Sequence, residues 1–153
     1  MSGTPNTGAT IEISPPDIAP YRIGNTGIDY AISFDSARPG PHVLIMALMH
    51  GNEICGAIAV DFLFREGVRP TRGKLTLAFA NVAAYQAFDP RKPTASRFVD
   101  EDFNRVWSDD VLKGERNTIE LRRAREMRPL MDTVDVLLDI HSMQKLAAPL
   151  ALA

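Results

Sequence analysis

VLIMALMHGNEICGAIAVDFLFREG (43–67) decides the fold. Its first seven residues form an unbroken apolar run, which reads as a β-strand buried on both faces. After HGNE (50–53) the pattern changes. Ile54, Ile58 and Phe62, with Cys55, Ala59 and Leu63 beside them, recur every four residues. That is helical periodicity, and Gly67 supplies a natural stop. A buried strand running through a short polar turn into a helix is the repeating step of an α/β protein.

The same reading extends outward. IDYAISF (28–34) and KLTLAFAN (74–81) are rich in strand formers, and TVDVLLDI (133–140) reads as another buried strand. ERNTIELRRAREMRPLM (115–131) reads as a helix with an arginine-rich outer face and a bend near Pro129. Residues 82–103, broken by Pro90 and Pro93, read as irregular. The order is strand, helix, strand, loop, helix, strand. It predicts an α/β fold with a mixed, largely parallel sheet flanked by helices. Residues 1–20, with Pro15, Pro16 and Pro20, read as a loose polar arm carrying a short TIEI strand, and residues 21–153 as a single unit.

Composition narrows the function. The chain has 153 residues, of which 45% are hydrophobic and 24% charged, which excludes a disordered polymer. A net charge of −2 offers no basic surplus for nucleic acid or an anionic membrane. The apolar runs are too short to span a bilayer. The N-terminus lacks the basic start and apolar stretch of a secretory signal. One cysteine, Cys55, leaves no intrachain disulfide and no cysteine-rich zinc module, and it reads as a small packing residue. A cytoplasmic protein is the expectation. The chain contains no G-x-S-x-G elbow, no Walker loop and no strand-anchored G-x-G-x-x-G.

Three histidines remain: His42, His50 and His141. His42, in a Pro-Gly-Pro turn, reads as an exposed loop residue. His50 and Glu53 stand three apart, a spacing that shares a face in the first turn of a helix. Chance alone produces an H-x-x-E in roughly one such chain in seven, so placement matters more. His50 and His141 each follow a buried strand, and the carboxyl ends of strands are where open α/β sheets build sites. Two imidazoles and a carboxylate with a further position open are a catalytic zinc set. The alternative is a pair of hydrogen-bonded strand-end histidines.

SRFVDEDFNR (96–105) is the second cluster. Arg97, Asn104 and Arg105 are donors suited to a carboxylate, with Asp102 among them. The alternative there is a solvated charged loop, with Trp107 a packing anchor. RRAREMR (122–128), interleaved with glutamates, reads as a solvated helix face.

Taken in order, HGNE, SRFVDEDFNR and LDIHS (138–142) resemble the succinylglutamate desuccinylase/aspartoacylase family of zinc carboxypeptidase-like hydrolases. The resemblance runs from about residue 40 to the end and covers the N-terminal part of that family's catalytic domain. It implies that His50, Glu53 and His141 bind one Zn²⁺ and that Arg97 polarises the scissile carbonyl and steadies the oxyanion. It implies that Asn104 and Arg105 grip the carboxylate of a small acidic substrate, and that Asp102 backs a zinc histidine. Phe103 and Ile140 stand where the family often carries leucine.

The implied activity is hydrolysis of the amide, or an ester, of a small N-acyl amino acid-like carboxylate, with neither nucleic acid nor membrane as partner. The family's general base, a glutamate beyond the third zinc ligand, has no counterpart. Twelve residues follow His141, and none is Glu or Asp. The expectation is therefore a truncated domain that is weak or inactive alone, or a non-catalytic fragment that binds zinc or ligand. A small metal-free α/β interaction module is the third possibility. The sequence does not fix the oligomeric state.

Overall fold

The computed structural model describes residues 12–143 and 148–151. Four strands form one open sheet: β1 (Ala31–Asp35), β2 (His42–Ala47), β3 (Lys74–Phe79) and β4 (Val136–Ile140). Their spatial order is β1-β3-β2-β4. β2 runs parallel to both β3 and β4, while β1 is antiparallel to β3. This is the expected α/β fold with a mixed, largely parallel sheet. Four α-helices accompany it: α1 (Ile54–Arg65), α2 (Val82–Gln86), α3 (Asp109–Lys113) and α4 (Ile119–Met131).

Alternation along the central strands divides the core. Leu44 and Met46 of β2 and Ala78 of β3 pack with Phe103, Leu121, Ala124 and Met127 on the α4 side. Leu75, Leu77 and Phe79 of β3 pack with Ile54, Ala57 and Val60 on the α1 side. Residues 43–47 of the apolar run are thus a strand packed between two helix layers, as read, whereas Leu48 and Met49 belong to the turn that follows it.

α1 turns a different face inward from the one its larger side chains suggested. Ile54, Gly56, Ala57, Val60 and Asp61 are buried, whereas Phe62 is 52% exposed. Close packing explains the choice. A Cβ on Gly56 would meet Ala47 Cβ and the Ile140 carbonyl oxygen, both at 3.0 Å. The small-residue face therefore brings α1 down onto the ends of β2 and β4. The helix stops in a Schellman turn, with Val68 N–H donating to Leu63 O and Gly67 at φ +61°.

Other readings are corrected. β4 is an edge strand, not a buried one. Val136, Leu137 and Leu138 are 51%, 44% and 52% exposed, because α1 packs on β2 and β3 and no further strand flanks β4 among the described residues. The stretch 82–103 opens with α2, whose first turn Asn81 caps by accepting from Ala84 N–H. Glu12 and Ile13 are not in a strand, and the rest of TIEI lies outside the described residues. The arm is docked from Pro16 onward: Tyr85 Oη donates to the Pro16 carbonyl at 2.6 Å, and Ile18 is buried.

His42 is buried as the first residue of β2. Its Nδ1 donates to the Thr133 carbonyl at 3.0 Å, and its Nε2 accepts from Thr76 Oγ1 at 2.7 Å. The arginine run is also more than a solvated face. Arg123 donates to the carbonyls of Asp29, Phe79 and Ala80, and Arg125 to those of Leu112, Gly114 and Arg116. Those carbonyls lie just before β1, at the end of β3, and from the last turn of α3 into the loop after it.

Candidate metal centre

The register of β2 and β4 builds the site. Ala47 pairs with Ile140, so both parallel strands end at the same level of the sheet. After β2 the chain turns sharply at Leu48, a buried leucine held at φ +66°. A branched side chain in the left-handed region is strained, and such strain gathers at functional sites. The Leu48 carbonyl accepts from Asn81 N–H at 2.8 Å, which fixes the bend.

His50 and Glu53 are joined by a tight turn, not by the first turn of the helix. Glu53 N–H donates to the His50 carbonyl at 3.1 Å, and Glu53 is the residue just before α1. Gly51 lies inside this turn against α2. A Cβ there would stand 2.2 Å from the Ala84 carbonyl carbon. Only glycine lets α2 and the turn approach so closely.

Three side chains meet there. His50, Glu53 and His141 each offer a ligand atom, all within 4.8 Å of one another. His50 Nδ1 is 2.9 Å from Glu53 Oε1, and His141 Nδ1 is 2.9 Å from Glu53 Oε2. His50 and Glu53 are buried; the His141 side chain is 34% exposed. One carboxylate therefore faces two imidazoles through the same ring atom.

Behind each imidazole stands a second carboxylate. Asp102 Oδ1 is 3.1 Å from His50 Nε2, and Asp139 Oδ2 is 2.8 Å from His141 Nε2. A neutral imidazole carries one proton. With that proton on Nε2 facing Asp102 or Asp139, each Nδ1 turns a lone pair toward Glu53. Two lone pairs and a carboxylate then converge with no proton among them, which is what a cation requires. Glu53 Oε2 fits this reading. It is buried and makes no aligned hydrogen bond, although His141 Nδ1 lies close by. The donor set, two nitrogens and a carboxylate, is that of catalytic zinc.

Without a cation, a proton takes its place between His141 and Glu53. In the metal-free chain the His141 imidazole is pushed up to about 10 by its hydrogen bond to Asp139 and then by Glu53, against the opposing effect of burial. Burial raises the Glu53 carboxyl, but contacts with His141 and His50 outweigh it and leave it below its ordinary value. Asp102 is likewise lowered: the Asn104 N–H, His50 and Arg97 outweigh the effect of burial.

The remaining expected residues divide. Arg97 Nη2 lies 3.4 Å from Asp102 Oδ2, and the Arg97 carbonyl accepts from Gly51 N–H at 3.1 Å. Asn104 Nδ2 lies 3.4 Å from His50 Nε2. Arg97 and Asn104 thus flank the triad. Arg105 is exposed, and its guanidinium contacts the Asn104 carbonyl. Phe103 turns into the core, packed on Trp107 at 5.1 Å between ring centroids. Sequence reasoning missed Asp139. Its signal was its place two before His141, since alternate strand residues share a face.

An α/β sheet with a His-Glu-His cluster at the ends of parallel strands defines a zinc carboxypeptidase-like fold. Residues 39–148 match the family model described as the succinylglutamate desuccinylase/aspartoacylase catalytic domain, and the chain belongs to that family. An aspartoacylase of Xenopus tropicalis is 28% identical over 116 residues, which span 69% of this chain and 35% of that one. Among solved structures, the succinylglutamate desuccinylase of Chromobacterium violaceum aligns at 21% identity and a TM-score of 0.58, over 74% of this chain and 37% of its own. Murine aminoacylase 3 aligns at 26% identity and a TM-score of 0.52, over 68% of this chain and 36% of its own. The chain spans about a third of the length of these relatives.

Proposed function

We propose that the chain carries the zinc site of a hydrolase acting on the amide, or an ester, of a small N-acyl amino acid-like carboxylate. The observation that carries this reading is the convergence of two carboxylate-backed imidazoles on Glu53. His50, Glu53 and His141 would hold one zinc ion. When bound, zinc supplies Lewis acidity, polarising a carbonyl and making water more acidic.

The chain's own groups do the rest. Asp102 and Asp139 keep the protons of His50 and His141 on Nε2, freeing both Nδ1 atoms. Arg97, half-buried beside Asp102, is the donor for charge developing on the scissile oxygen. Asn104 and Arg105 orient the substrate carboxylate, a planar acceptor suited to an amide and a guanidinium. A cytoplasmic location fits the same reading, since a lone free Cys55 suits a reducing compartment. No helix among the described residues is long and apolar enough to cross a membrane.

A second reading, binding without turnover, has its own support. Glu53, Asp102 and Asp139 each already face an imidazole, which leaves none of them free to accept a proton from water. Lacking a positioned general base costs about 10²–10⁴-fold in rate. The test is release of the acyl group from a panel of N-acyl amino acids by the zinc-loaded chain. Slow turnover that ends with a chelator and in Arg97→Ala supports the hydrolase. Ligand binding with no turnover supports the second reading. Turnover that survives complete zinc removal contradicts both.

A further inference from the structure

Glu120, a carboxylate, has no exposed surface. It sits in the first turn of α4, but it does not cap that helix. Thr118 does so, accepting from Leu121 N–H at 3.1 Å. A buried carboxylate is costly unless hydrogen-bonded, and Glu120 is filled on both oxygens. Oε1 accepts from Val99 N–H at 2.7 Å and from Asn81 Nδ2 at 3.1 Å. Oε2 accepts from Asp100 N–H at 3.0 Å and from Glu101 N–H at 3.3 Å. Burial alone would raise this carboxyl; the bonds from Val99, Asn81 and Asp100 outweigh it and hold it below its ordinary value.

Three consecutive backbone N–H groups directed at one side chain fix the path of the chain through residues 99–101. The next residue is Asp102. The return stitches are also present. Asp100 Oδ2 accepts from Ile119 N–H at 2.7 Å, and Glu101 Oε1 accepts from Thr118 Oγ1 at 2.6 Å. The fourth donor, Asn81, follows β3 and bonds through its own N–H to the Leu48 carbonyl, two residues before His50. Glu120 therefore ties the loop that carries Asp102 and Asn104 to the backbone that carries His50.

We propose that Glu120 is a positioning residue: by fixing residues 99–101 it sets the Asp102 carboxylate on His50 Nε2 and holds Asn104 beside it. The inference rests on the zinc-site reading only for the purpose of that placement. The placement itself is testable without metal.

The experiment compares the side-chain nitrogen and proton resonances of His50 in the ¹⁵N-labelled, metal-free chain for wild type, Asp102→Ala, Glu120→Ala and Glu120→Gln. Glutamine matches the shape but, in either orientation, turns an NH₂ against two donors, at least one of them a backbone N–H, so it carries the test if alanine does not fold. The expected result is that the Glu120 variants lose the hydrogen-bonded Nε2–H signature of His50, as Asp102→Ala does. His42, at the far end of β2, keeps its own signature, which general loosening would not allow.

Zinc affinity gives the second readout. Glu120→Gln weakens it by roughly 10–100-fold, the usual effect of losing an outer partner of a ligand. The double variant with Asp102→Ala binds no more weakly than Asp102→Ala alone, because both act through one contact. Wild-type His50 resonances in both Glu120 variants, or fully additive losses, would overturn the proposal. If the wild-type chain takes up no zinc, the metal reading fails while the His50 resonances still decide the role of Glu120.

Discussion

His141 holds two carboxylates at once, and that fixes how the site responds to protons. Its folded-state pKa lies at about 10, above the ordinary 6.5. Its pairing with Asp139 and Glu53 therefore stabilises the metal-free fold fully below about 6.5 and loses that contribution as pH rises through about 10. Thermal unfolding of the metal-free chain should show the midpoint falling as pH rises toward 10, with His141→Ala flattening the decline. A midpoint independent of pH in the wild type would count against the pairing.

Zinc needs the same imidazole neutral. Uptake near neutral pH should accordingly release about one proton from His141, seen as a dependence of the calorimetric binding heat on buffer ionisation enthalpy. Asp139, which holds the far nitrogen of His141 at 2.8 Å, should matter nearly as much as a ligand. Asp139→Asn is expected to cost about 10–100-fold in zinc affinity, measured by competition with a chromophoric chelator. An affinity equal to wild type would remove Asp139 from the site.

At the scale of elements, much was legible and the gaps have causes. The strand β2 was plain within the run 43–49 because packing on both faces demands unbroken apolar residues. HGNE and LDIHS were visible because each sets polar residues at the end of an apolar run. The inward face of α1 was misread because Gly56 and Ala57 win by closeness, which hydrophobicity alone does not register. His42 was misread because its burial depends on Thr76 and Thr133, remote partners that no local pattern reveals. Glu120 was invisible for a similar reason. It reads as one of several helix-surface glutamates until the loop at 99–101 is seen folded over it.

The turn at His50–Glu53 depends on Gly51 in the same non-local way. Gly51→Ala would drive a methyl group against the backbone of α2. Overpacking of this kind costs about 1–3 kcal/mol, and with backbone as the obstacle the upper end is expected, read from denaturant unfolding. A variant as stable as wild type would show that α2 can retreat.

For the whole molecule, the order β1-β3-β2-β4 puts the site next to the least protected strand. β4 leads directly into His141, yet Val136, Leu137 and Leu138 are exposed and the outer edge of the strand pairs with nothing among the described residues. Exposed apolar edges associate. Self-association, followed by sedimentation velocity over a concentration series, should decrease in Leu138→Lys, a change that blunts the edge. Equal association in the variant would place the contact elsewhere.

The most direct test of the central claim is the zinc content of the purified 153-residue chain beside its His50→Ala form, with folding checked in both. The arrangement of His50, Glu53 and His141 predicts about one zinc per chain, lost in the variant. A well-folded wild-type chain that takes up no zinc, or a His50→Ala chain that keeps it, would contradict the assignment.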